Sequence, residues 1–175
     1  MIMVSAKKIS FSMLLPISVM IIIPSILLFV INSRTLDNLI FPNLIMVILG
    51  ILSLIIGISL FVKCNLIFIS KGKGTLMPLK PLETQKLIIK GPYKYVRHPM
   101  IIAVVIILFG EALIFGSLWI LLWDLIFLIG NMVYLPLFED KGMKKRFGEE
   151  FLNYKKNVRA WIPQLRMYEK NQQSQ

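Results

Sequence analysis

The chain has 175 residues, 57% of them hydrophobic, and a formal net charge of +11. Its apolar residues fall in runs too long for strands or for the core helices of a soluble domain, which excludes an ordinary soluble fold. Its single cysteine, Cys64, excludes an intrachain disulfide and a thiolate-rich metal site, so no metal is expected.

The runs Met13–Ile31, Leu44–Val62 and Ile101–Phe138, the last broken near Gly116, carry almost no charge. About 20 apolar residues at 1.5 Å rise cross the ~30 Å hydrocarbon core of a bilayer. The expected fold is all-α: a polytopic membrane protein with about four transmembrane helices, then a C-terminal amphipathic interfacial helix. We read residues 1–175 as a single membrane domain.

Residues 10–62 form an N-terminal helical hairpin. Its first helix covers about Ser10 to Ile31, with kinks expected at Pro16 and Pro24. The run exceeds a signal-peptide h-region and lacks an A-x-A-like cleavage site, so it reads as a retained helix. The second helix starts near Phe41, runs through Val62 and stays helix-compatible towards Ser70. Residues 63–98 include a stretch rich in Gly, Pro and Lys with no period. Residues 99–138 form a second hairpin, Pro99–Phe115 and Leu118–Phe138, turning at Gly116–Ser117. Residues 139–165 hold a basic helix, about Asp140 to Val158, and residues 166–175 are a polar tail.

Of the 20 lysines and arginines, Lys7 and Lys8 precede the first span, eight lie between Lys63 and Arg97, and nine between Lys141 and Lys170. Only Arg34 falls in a loop on the other side. Positive charge marks the cytoplasmic face, so both termini, residues 63–98 and the basic helix are expected in the cytoplasm, beneath a cell membrane. Lysines beside spans need no nucleic acid to explain them, and the stacking aromatics of a nucleic-acid surface are absent.

A tight turn at Gly116–Ser117 returns Glu139 to the membrane face where His98 enters. An ionisable cluster is expected at that mouth. In Arg97-His98-Pro99, Pro99 suits the first turn of a helix and biases His98 away from helical geometry, aiming it into a pocket. The plainer alternative is a headgroup anchor. Glu139-Asp140 can accept hydrogen bonds from an amine or from ribose hydroxyls, or can simply pair with Lys141 or Lys144. Glu111, Asp124 and Asn131 lie within spans, where ionisable groups are costly and functional by default. The favoured reading for Glu111 and Asp124 is polar contact between the two hairpin helices. Phe147, Phe151, Tyr154 and Val158 recur at helical spacing among lysines, as on an interfacial helix or a cap over a site, and Trp161 suits the headgroup level. "KGKGT" at 71–75 lacks the spacing and preceding strand of a phosphate loop, and no dinucleotide fingerprint follows a strand.

"GPYKYVRHP" before a helical hairpin, "FED" after it and "RFGEEFLNYKKNVRAWIP" beyond together resemble the isoprenylcysteine carboxyl methyltransferase family. Membrane methyltransferases acting on phospholipid amines share its plan. The resemblance covers about Thr84 to Leu165. It implies S-adenosyl-L-methionine as cofactor at the cytosolic end of the hairpin. The implied cofactor contacts fall on Gln85, Lys86, Leu87, Ile88, Tyr93, His98, Pro99, Met100, Ile101 and Glu139, with Arg97 and His98 as catalytic residues. Departures are Ile101 and Ala103 where the family has Tyr and Gly, Asp140 as the second acid, and "VRAWIP" for V-P-R-W-I-P.

The expected activity is methyl transfer to the carboxylate of a lipophilic substrate, prenylated or lipid, reached from the bilayer. Positioning would supply most of the acceleration, and water exclusion would strengthen the charge contacts. Alternatives are phospholipid amine N-methylation, with His98 as base, a nicotinamide-dependent membrane reductase using Lys86, Lys90 and Arg97, and a non-enzymatic four-helix transporter or scaffold built on Glu111 and Asp124. The acceptor and the oligomeric state are open from sequence.

Overall fold

Proline and glycine delimit the central helix. Pro99 occupies its first position, where a missing N–H costs no hydrogen bond, and Gly116 ends it in left-handed geometry (φ 58°, ψ 29°), donating its N–H to the Ala112 carbonyl. Ser117 then caps the next helix, its side chain accepting from the Ile120 N–H. The computed structural model describes residues 16, 18–31, 43–71 and 87–168, and the regular elements among them are helices, with no strand. In chain order they give α1 (Ile23–Ile26) between two π-helical stretches (Ser18–Ile22 and Leu27–Ile31), α2 (Leu44–Lys71), a 3-10 turn (Gly91–Lys94), α3 (Pro99–Phe115), α4 (Leu118–Tyr134), a π-helical stretch (Leu135–Glu139) and α5 (Asp140–Asn157).

Two segments are long and apolar enough to cross a membrane, Leu44–Ile67 and the one opening at Leu118. Two shorter apolar segments, Ser18–Val30 and Pro99–Phe115, accompany them. The α2 face carrying Leu44, Ile45, Ile55 and Ile56 is exposed, which in a bilayer turns it to lipid.

The tightest packing is between α2 and α3, which run antiparallel. A Cβ added at Gly50 would stand 2.8 Å from the Gly110 carbonyl, and one added at Gly57 would stand 2.6 Å from Ile107 Cγ1. Small residues therefore let the two backbones approach, as between membrane helices generally. Ser53 Oγ donates to the Ile106 carbonyl across this seam at 2.7 Å. With the tight turn between α3 and α4, the end of α2, the start of α3 and the end of α4 share one side of the bundle. The candidate site assembles there.

Three expectations change. The helix does not break after Phe138: the Asp140 N–H donates to the Leu135 carbonyl five residues back, and the chain runs from α4 into α5 through the π stretch. The apolar face of α5 is not free to lie on a membrane. Phe151, Tyr154 and Val158 are buried, with Leu87, Ile89 and Tyr168 packed on them. Nor do Glu111 and Asp124 bond to each other, since Glu111 Oε2 and Asp124 Oδ1 are buried without hydrogen-bond partners. Asn131 satisfies its amide on its own helix, donating to the Phe127 carbonyl at 2.8 Å.

Candidate functional site at the mouth of the α3–α4 hairpin

Residues 87–98 reach the mouth through a turn that needs glycine. Gly91 has φ +57°, and a Cβ there would lie 2.7 Å from Ile67 Cδ1. The 3-10 turn that follows drives Tyr93 into a small core with Cys64 and Ile88, against which Met100 packs. The Tyr93 hydroxyl and the Cys64 thiol are hydrogen-bond partners, and burial holds the phenol well above its ordinary pKa. From α5, the Tyr154 hydroxyl donates to the Tyr93 carbonyl at 2.6 Å.

The segment 94–98 is tied to the residues after α5. The Arg97 N–H donates to the Arg159 carbonyl at 2.9 Å, and the Gln164 N–H donates to the Tyr95 carbonyl at 2.9 Å. The two stretches thus hold each other in place beside the start of α3.

Arg97 lies between these strands of chain and the end of the π stretch. Its Nη1 is 3.4 Å from Asp140 Oδ2, with both side chains largely buried. Lys155 Nζ meets the same oxygen at 2.7 Å. Arg97 Nε is buried and has no hydrogen-bond partner, an unmet donor in a charged group.

His98 precedes α3 with non-helical geometry (φ −117°, ψ 55°), as its place before proline predicts. Its ring lies 5.7 Å from that of Trp161. Burial, then the neighbouring Arg97 guanidinium, pushes its pKa down to about 4, against the opposing pull of Asp140. The imidazole is therefore neutral at physiological pH.

Glu139 ends the π stretch, beyond the apolar part of the helix. Burial first, and Asp140 next, raise its carboxyl pKa, with Arg146 opposing. Its charge also reaches the Tyr93 phenol.

Arg97, His98, Tyr93 and Glu139 are thus brought to one end of the bundle. Leu87 and Ile88 are committed to packing, Pro99 is fully buried, and Met100 and Ile101 are half-buried in the first turn of α3. Gln85 and Lys86 lie outside the described residues, as do Lys7, Lys8, Arg34 and most of "KGKGT". Sequence reasoning missed that Asp140 holds Arg97 and Lys155 rather than Lys141 or Lys144. It also missed the Tyr154 hydroxyl and Cys64. Asp140 and Arg97 are 43 residues apart, and only the hairpin register could have paired them.

A family model described as phospholipid methyltransferase matches residues 45–150, more than half of the chain. No curated protein and no solved structure matches it. The matched region runs from the start of α2 through the hairpin into α5 and contains Arg97, His98 and Glu139. The chain therefore belongs to the phospholipid methyltransferase family, in the same membrane methyltransferase group as the isoprenylcysteine carboxyl methyltransferases.

Proposed function

We propose that this chain is a membrane-embedded, S-adenosylmethionine-dependent methyltransferase that methylates the carboxylate of a lipophilic substrate. The observation that carries the reading is the buried, unpartnered Arg97 Nε next to a neutral His98, with Glu139 at the same end of the bundle, within the family-matched residues. These groups fit the cofactor: Arg97 has a free charged donor for a carboxylate, and Glu139 an acceptor for an ammonium or for ribose hydroxyls. The sequence resemblance assigns further cofactor contacts to Gln85 to Ile88, to Tyr93 and to His98 through Ile101. When bound, S-adenosylmethionine supplies an electrophilic methyl on a sulfonium.

Neutral His98 has little affinity for a proton, so it is a weak base. A carboxylate is already a nucleophile and needs none, which favours a carboxyl acceptor. The Trp161 ring lies 5.7 Å from that of His98 and gives the site an apolar neighbour on that side. In this reading the chain crosses a cell membrane four times, with both termini and the cofactor site cytoplasmic, and the substrate arrives through the bilayer.

A second reading, methylation of a phospholipid amine, is favoured by the description of the matching family. Transfer of a radiolabelled methyl group by the purified full chain, in vesicles offering a prenylated cysteine or phosphatidylethanolamine, separates the two. A methyl ester is released by alkali, and an N-methyl group is not. Alkali-labile product supports the carboxyl reading, and alkali-stable product the amine reading. Incorporation into neither, with no S-adenosylhomocysteine binding, overturns both.

A further inference from the structure

Residues 158–168 lie beyond the family match and carry a surface that the methyl-transfer site does not use. Ile162 is 65% exposed and Leu165 fully so, in a stretch that also exposes Arg159, Pro163, Arg166 and Met167. An open cavity of about 1140 Å³ lies between this stretch and α5. Asn153, Asn157, Arg159, Gln164, Arg166 and Tyr168 line it, and no acidic side chain does. Neither Arg97, His98 nor Glu139 faces it. Arg159 and Arg166 form no ion pair with any acid among the described residues.

The level of this surface follows from its hydrogen bonds. Gln164 is held to Tyr95 and Arg159 to Arg97, immediately before α3 begins. The 17 residues of α3 rise ~25 Å, close to the ~30 Å hydrocarbon thickness. Just beyond its far end stands the exposed Trp119, an interface residue by type. Residues 159–168 are therefore at headgroup depth on the site's side. Exposed aliphatic tips among guanidiniums suit that boundary, where apolar groups enter the acyl region and cations meet phosphate.

We propose that the cavity between α5 and residues 158–168 docks the anionic phosphate headgroups of the surrounding leaflet, with Ile162 and Leu165 inserted at the acyl boundary. The proposal rests on the reading that α3 enters a bilayer at Pro99. Trp161 sits within the docked stretch and against His98, so docking fixes one wall of the candidate site.

The test uses the full chain in vesicles, with an environment-sensitive fluorophore on L165C and, as reference, on E149C. Cys64 is fully buried and stays unlabelled. Vesicles are phosphatidylcholine alone or with phosphatidylglycerol, each bearing shallow spin-labelled quencher lipid of the same headgroup. The label at 165 is expected to shift to the blue and be quenched, more strongly by anionic lipid, while the label at 149 stays water-like. Combining L165C with R159Q and R166Q should lower the anionic preference on the order of fivefold per arginine removed. Water-like emission at 165, or quenching indifferent to lipid charge and to both arginines, overturns the proposal. S-adenosylhomocysteine binding is measured on the same samples. Retained binding with a water-like label at 165 defeats the docking proposal alone, and lost binding with a quenched label counts only against the methyltransferase reading.

Discussion

Arg97 and Asp140 meet at 3.4 Å, joining the segment that leads into α3 to the first residue of α5. Because Lys155 shares the same carboxylate oxygen at 2.7 Å, Asp140 holds two cations at the mouth of the hairpin. Asp140→Asn removes the charge and leaves a buried guanidinium uncompensated, a loss of about 3 kcal/mol. Thermal unfolding in detergent should fall by several degrees, and S-adenosylhomocysteine affinity should fall with it as Arg97 loses its anchor. Unchanged unfolding would show that the pair contributes nothing to the fold.

The Tyr154 hydroxyl is the link from α5 to the turn that carries Tyr93. Tyr154→Phe keeps the ring in its cluster and leaves the Tyr93 carbonyl without that donor. The expected cost is about 1–3 kcal/mol, read as a shift in the denaturation midpoint. A shift as large as that of Tyr154→Ala would mean that the ring, not the hydroxyl, is being measured.

The α2–α3 seam tests whether close backbone approach matters. Gly110→Ala would place a Cβ 2.9 Å from the Gly50 carbonyl and 3.1 Å from the Leu54 nitrogen. Neither is the end of a flexible side chain, so the helices must separate, at about 1–3 kcal/mol. Gly130→Ala, with nothing within 4 Å of the added Cβ, should leave stability in detergent unchanged or slightly raised, and serves as the control.

Acidification should reveal His98. Its folded pKa is about 4 against ~6.5 in an unfolded chain. Between these values the unfolded state takes up a proton that the folded state refuses. The His98 contribution to stability is thus fully present above pH ~6.5, is lost as pH falls towards 4, and is level below that. The difference in midpoint between wild type and His98→Asn should therefore shrink as pH falls from 7.5 to 5. A constant difference would show that His98 titrates normally.

Much of this was legible in the sequence, and the part that was not has a physical reason. Pro99 and Gly116 fixed the ends of α3 because each has one dominant backbone preference. The apolar runs marked α2 and α4 because hydropathy is a property of composition. Hydropathy does not distinguish α from π geometry, so the stretch Leu135–Glu139 and the unbroken passage into α5 were hidden. Periodicity placed Phe151, Tyr154 and Val158 on one face of α5 but could not say whether lipid or protein covers it. The partner proved to be Leu87, Ile89 and Tyr168, contacts distant in sequence. The seam at Gly50 and Gly57 depends on α3 lying against them, a contact between elements that no local pattern in α2 encodes.

The central claim is that Arg97, His98 and Glu139 hold S-adenosylmethionine, and calorimetry of S-adenosylhomocysteine with the purified full chain tests it most directly. His98→Ala and Glu139→Ala should each remain folded and weaken binding roughly ten- to a hundredfold, the equivalent of losing one charge-assisted hydrogen bond of about 1.5–3 kcal/mol. Glu111→Gln lies twelve residues from Pro99, ~18 Å along α3, and should bind as the wild type does. Wild-type affinity in both site variants, or a loss confined to Glu111→Gln, would contradict the account.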